Sequence, residues 1–178
     1  MEDTIMEDTI MDEVKEITII GKHTKDHLTL VKTKRIRINA VKEELNKSQE
    51  ILLLGHIMNE INTISSIKGR REIEKKIYGY NHQDIIKHRN ANSLISFQDT
   101  LDKLLDCNLS CNYCTDRVKL LYMQVRDPKQ WTLDRIDNDL NHSKENTIIS
   151  CLSCNIKRRR IDKEKYEFTK KMIIVKVK

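Results

Sequence analysis

Residues 131–155 read WTLDRIDNDLNHSKENTIISCLSCN, and the fold turns on this stretch. "QWTLDRI" and "NTIISC" are rich in β-branched and apolar residues and predict two short strands. Between them "DNDLNHSKEN" is dominated by Asp, Asn, Ser and His, the composition of a loop. The stretch closes on Cys151-x-x-Cys154, and an equivalent pair, Cys111-x-x-Cys114 in "CNYC", stands upstream as a knuckle-type turn. After Cys154, "NIKRRRIDKEKYEFTKKM" suits a helix, and the last residues, "IIVKVK", an extended tail. The predicted order is knuckle, strand, loop, strand, knuckle, helix.

Two bidentate cysteine pairs are the donor set that tetrahedral Zn²⁺ prefers in a closed structural site. The 36 residues between the pairs exceed the usual ribbon spacing, but a β-hairpin with a long loop fills them. Such a staple suits a chain with only 4% aromatic and 34% charged residues, whose core must be aliphatic and modest. Cys107, the fifth cysteine, follows a leucine-striped segment and reads as a small apolar residue. Paired cysteines point to metal where thiols stay reduced. The acidic opening "MEDTIMEDTIMDE" does not resemble a secretory leader, and the longest apolar run, Ile51–Met58, is too short to cross a bilayer. The expectation is a soluble intracellular protein of cytoplasm or nucleus, with no membrane partner.

The net charge of +6 is unevenly placed. Residues 1–99 balance at 16 basic against 16 acidic side chains, whereas residues 100–178 carry 17 against 11. A basic half-chain predicts a polyanionic partner, with DNA the default. The abundance of Ile, Lys and Asn suggests AT-rich coding, of the kind large viruses and phages show.

The first half is less informative. Residues 1–16 predict an acidic, disordered tail that begins with a five-residue duplication. Residues 17–100 predict a mainly helical region of unassigned role, with weak β character at 17–38. Within it, Val41, Leu45, Ile51, Leu52, Ile57 and Ile61 recur at roughly helical spacing over 40–63. A second helix is expected at "REIEKKIY", a turn or packing role for "YGYNHQD", and a third helix at 97–105 with Leu101, Leu104 and Leu105 in the core.

Residues 105–165 resemble the HNH endonucleases, the ββα-metal family, in the branch where two C-x-x-C pairs clamp a zinc around the active hairpin. The resemblance rests on "LDRIDN", "EN" and "CLSCN" in their family order. It implies an α+β fold in which residues 101–178 form a zinc-stapled ββα-metal domain behind a helical extension. It further implies that Asp134 and Asn155 hold one catalytic Mg²⁺ or Mn²⁺ through hard oxygen ligands. The ion would bind the scissile phosphate and stabilise the leaving 3′ oxygen. Asn146 would tie the loop to itself. "DNDLN" also echoes the start of an EF-hand, but the sixth position is not Gly and the twelfth is Ile148, so that reading is rejected.

Arg135 departs from the family pattern, because it stands where the general-base histidine belongs. A guanidinium keeps its proton at any working pH; it can clamp a phosphate but cannot accept a proton. The Asp-Arg-Ile-Asp version resembles a variant that recurs in viral and phage proteins, which implies a displaced base. His142, in the loop, is the first candidate, and Asp137 the second, as base or further metal ligand. Lys157, Arg158, Arg159 and Arg160 directly follow the site and are expected on DNA phosphates. The sequence therefore predicts a metal-dependent DNA endonuclease. Its rival is a zinc-folded DNA-binding module that no longer cuts.

Overall fold

The computed structural model describes residues 43–89 and 93–172, all of which fall within one compact unit, Arg35–Lys178. The expected tail at 1–16, the β character at 17–38 and the extended end at 173–178 lie outside the described residues. What is described is α+β: α1 (Lys47–Met58), α2 (Ile64–Ile86), α3 (Phe97–Asp106), β1 (Trp131–Arg135), β2 (Thr147–Cys151), α4 (Leu152–Arg158) and α5 (Lys163–Lys171).

α1 begins where Asn46 and Gln49 form a capping box, each side chain bonding the other's backbone N–H. This fixes a shorter helix than the 40–63 periodicity suggests, and the buried face is different too. Glu50, Leu53, Leu54 and Ile57 turn inward, while Leu52 and Ile61 are exposed. Thr63 and Ser66 form a second capping box and start α2, a helix far longer than "REIEKKIY". It runs through "YGYNHQD", which is helix and not turn. The two helices meet at Gly69, where a Cβ would come within 2.8 Å of Ile57 Cδ1, so the bare backbone permits the close approach.

β1 and β2 form an antiparallel hairpin in the register Trp131↔Cys151 through Arg135↔Thr147. α4 follows Cys151 directly, so the hairpin feeds straight into a helix. The expected single helix after Cys154 is broken: Arg159 adopts φ +51°, in the region that favours glycine, and Asp162 caps a new helix. Leu101 and Leu104 lie in the core, as the stripe predicts.

One hydrophobic cluster takes in Leu53, Leu54 and Ile73 from the first two helices, Leu104 from α3, and Trp131, Leu133, Cys151 and Cys154 from the hairpin and α4. Among the described residues the core therefore runs across residue 100. Lys76 on α2 shows why: its ammonium lies 4.6 Å from the centre of the buried Trp131 ring, and it donates to Trp131 O and to Gln130 Oε1.

Candidate metal centre and active site

Cys111, Cys114, Cys151 and Cys154 converge, with all four Sγ atoms within 4.8 Å of one another and Cys114 Sγ 3.9 Å from Cys151 Sγ. Thiolates around a tetrahedral zinc, each at about 2.3 Å, stand about 3.8 Å apart, so the quartet fits that ion. The knuckle is shaped by Cys111 N–H bonding Asp116 O and by Thr115 N–H bonding Cys111 O. Asn112 N–H reaches Ile149 O and docks the knuckle on β2. Cys111 is lowered to about 5, chiefly by its hydrogen bond with Cys151, and the same bond pushes Cys151 up. A dication removes that conflict by favouring all four thiolates. Four protein donors leave no open position, so the centre suits a structural ion. Cys107 lies outside the quartet as the C-cap of α3.

The knuckle also reaches the end of β1. Tyr113, between Cys111 and Cys114, donates from its hydroxyl to Asp134 Oδ2 at 2.7 Å. Burial, then the Asp134 carboxylate, push the phenol up, so it keeps its proton and remains a donor. Arg158 approaches the same carboxylate, with Nε 2.7 Å from Oδ2 and Nη2 3.0 Å from Oδ1. Further bonds run from its guanidinium to Ile161 O and Asn138 Oδ1. The Arg158 side chain is fully buried, which corrects its expected place on DNA phosphate. Lys157, Arg159 and Arg160 do face solvent.

Asp134 and Asn155 offer the hard oxygens that a divalent ion prefers, but the arrangement does not fit an ion on Asp134. Both carboxylate oxygens are engaged, and a guanidinium occupies the approach. Asn155 Nδ2 donates to Thr132 Oγ1 at 3.1 Å, linking α4 to β1.

Asn146 closes the loop. Its Oδ1 accepts from Asp137 N–H at 2.8 Å, and its Nδ2 donates to Asp137 O and Asn141 O at 2.9 and 2.8 Å. Asp137 is partly spent on local structure, since Oδ1 accepts from Asp139 N–H. A pocket of about 370 Å³ opens beside it, between the 136–139 backbone and Arg158, Arg160 and Asp162.

His142 is not an exposed loop residue. It is buried, and its Nδ1 stands 2.9 and 3.0 Å from the two oxygens of Asp84, near the end of α2. Its backbone N–H also donates to Asp84 Oδ2 at 2.8 Å. The Tyr80 ring, one turn earlier on α2, stacks on the imidazole at 4.6 Å, and the Tyr80 hydroxyl accepts from Leu133 N–H. Burial lowers the His142 pKa below 6.5; Asp84 opposes the shift, while Arg135 and Arg89 reinforce it. Arg135 donates from Nη1 to Leu140 O at 3.0 Å, two residues before His142.

No protein-family model, curated protein or solved structure matches the chain. The function must therefore be read from the site itself. Asp84 is the residue that sequence reasoning missed. Its only trace is the four-residue spacing from Tyr80, which sets both on one helical face; nothing local links it to a loop 58 positions away.

Proposed function

We propose that the chain is a zinc-stapled endonuclease of the ββα type that hydrolyses phosphodiester bonds in DNA. The observation that carries this reading is the juxtaposition around β1. Four converging cysteines link the knuckle to a hairpin that runs directly into a helix, and the hairpin loop holds a buried imidazole whose Nδ1 faces a carboxylate. Neutral His142 accepts a proton from water as the water oxygen bonds to phosphorus. The bond from phosphorus to the leaving oxygen then breaks, and that oxygen takes its proton from solvent. Arg135 supplies a permanent positive charge for a phosphate oxygen. Exposed Lys157, Arg159 and Arg160 hold the flanking backbone. Zinc on the four cysteines keeps the hairpin and knuckle together and takes no part in bond cleavage. A catalytic Mg²⁺ or Mn²⁺ on Asp134 and Asn155 would require Arg158 to release the carboxylate.

That same pairing favours a second reading. With Asp134 neutralised by Arg158, the chain suits a zinc-folded module that binds DNA without cutting it. Nicking of supercoiled plasmid separates the two, assayed with Mg²⁺, with Mn²⁺ and with chelator. Nicking that is abolished in His142→Ala supports the nuclease. Intact DNA binding with no nicking under any of the three conditions selects the binding module.

A further inference from the structure

We infer that Asp84 is a positioning residue for His142, holding its ring as the Nδ1–H tautomer so that Nε2 carries the lone pair. This rests on the nuclease reading for its catalytic consequence, but the geometry stands independently. Asp84 is fully buried, and its two oxygens take three contacts from one residue: two from Nδ1 and one from the His142 backbone N–H. A carboxylate is an acceptor only, so the nitrogen facing it carries the hydrogen. The second nitrogen is then the one able to take a proton.

The surroundings lock this orientation. Tyr80 stacks on the ring from the same helix. Ile95 N–H bonds His142 O at 2.8 Å and fixes the backbone from the other side. Arg89 pairs with Asp84 at 3.5 Å and donates to Asn138 O at 2.9 Å, tying the end of α2 to the active loop. The charged groups facing the imidazole are thus Asp84 and Arg89 from α2 and its end, and Arg135 from β1. α2, which precedes the hairpin, is consequently part of the site, since it carries the carboxylate that faces His142.

The test uses the full chain. Long-range ¹H–¹⁵N correlation should show His142 protonated at Nδ1 and bare at Nε2 near neutral pH. Asp84→Asn should then cut nicking at least about 10²-fold, since its amide can face Nδ1 with a donor and stabilise the wrong tautomer. DNA affinity and helical circular dichroism should stay at wild-type values, and Asp84→Glu should recover part of the rate. An Nε2–H tautomer in the wild type overturns the inference whether or not the protein folds as a variant. So does an Asp84→Asn protein that nicks at the wild-type rate with an unchanged pH profile. A wild type that binds DNA but never nicks removes the nuclease reading, and with it the catalytic role of Asp84. That outcome is distinct from a wild type whose nicking ignores Asp84.

Discussion

Arg158 lies against Asp134 with two nitrogens on two oxygens, at 2.7 and 3.0 Å, inside the protein and beside the end of β1. It belongs to a run of four basic residues, and it alone among them turns inward. A run read as one phosphate-binding face is therefore divided by the helix: three cations serve the surface and one serves the core. The pair joins the strand end to the helix that follows β2. Tyr113 adds the cysteine knuckle to the same carboxylate.

Breaking this pair from one side should be costly. Arg158→Ala leaves the Asp134 carboxylate buried without its cation, and the expected loss is about 3–5 kcal/mol in urea unfolding. Replacing both partners with apolar residues, as in Asp134→Leu with Arg158→Met, should recover much of that loss. A single Arg158→Ala variant as stable as wild type shows that the pair is not held in solution.

Zinc should govern the whole described unit and not only its C-terminal part. The cluster that holds Cys151 and Cys154 also contains Leu53 and Ile73. Elemental analysis should find one zinc per chain, with binding worth on the order of 10 kcal/mol at neutral pH. Chelation, or Cys151→Ser, should loosen α1 and α2 together with the hairpin, as amide hydrogen exchange would reveal. Normal protection in α1 and α2 of a metal-free chain contradicts the shared core.

The hairpin, its loop and the cysteine pairs are legible because each is local: strand composition, turn residues and ligand spacing all act within a few residues. The first helix is harder to read for the opposite reason. Its buried stripe is 50, 53, 54 and 57, a regular helical spacing, but position 50 is a glutamate and so looks like surface. Glu50 is accommodated by partners about 70 residues away, the Leu120 and Leu121 N–H groups at 2.9 and 3.0 Å and Arg117 at 2.7 Å. Asp84 is hidden in the same way. Glu50 is explained by donors about 70 residues away, and Asp84, besides Arg89 five residues on, by His142 58 residues away, which no short window of sequence contains.

Glu50 offers a pH test of that arrangement. Burial raises its pKa above 4.5, against the opposing pull of Arg117 and the two backbone bonds. The folded state thus holds this proton more tightly than the unfolded state, so Glu50's contribution is complete below pH 4.5 and declines as pH rises through the folded value. Wild type should lose stability relative to Glu50→Gln over that interval. Glu50→Ala, which leaves two buried N–H groups unpaired, should be destabilised at every pH, by about 2 kcal/mol or more. A wild-type-minus-Gln difference that does not change with pH shows that Arg117 and the backbone bonds offset the burial in full.

DNA affinity should fall with salt, and the exposed cations after the site should account for part of the slope. Replacing Lys157, Arg159 and Arg160 with Ala should lower the log–log slope by about 0.9 for each phosphate that is no longer neutralised. Arg158 stays in place in this variant, because its removal perturbs the fold. An unchanged slope in the triple variant places the DNA elsewhere.

Arg135 should act on His142 through charge as well as on phosphate. Burial is the main cause of the lowered imidazole pKa, and Arg135 and Arg89 lower it further while Asp84 pulls it upward. Because the folded value lies below 6.5, the unfolded chain takes up a proton at His142 first as pH falls, and stability drops through that window. Nicking should rise with pH over the same range, as the imidazole becomes neutral. Removing the neighbouring cation in Arg135→Ala must make protonation easier, so the His142 midpoint moves up and the rise in nicking moves to higher pH. Arg135→Lys, which retains the charge, should hold the midpoint closer to wild type although it loses the planar phosphate clamp. An NMR titration of His142 reads the shift directly and does not depend on cutting. A midpoint that stays fixed in Arg135→Ala places the guanidinium too far from the ring to tune it, and Arg135 is then left with the phosphate alone.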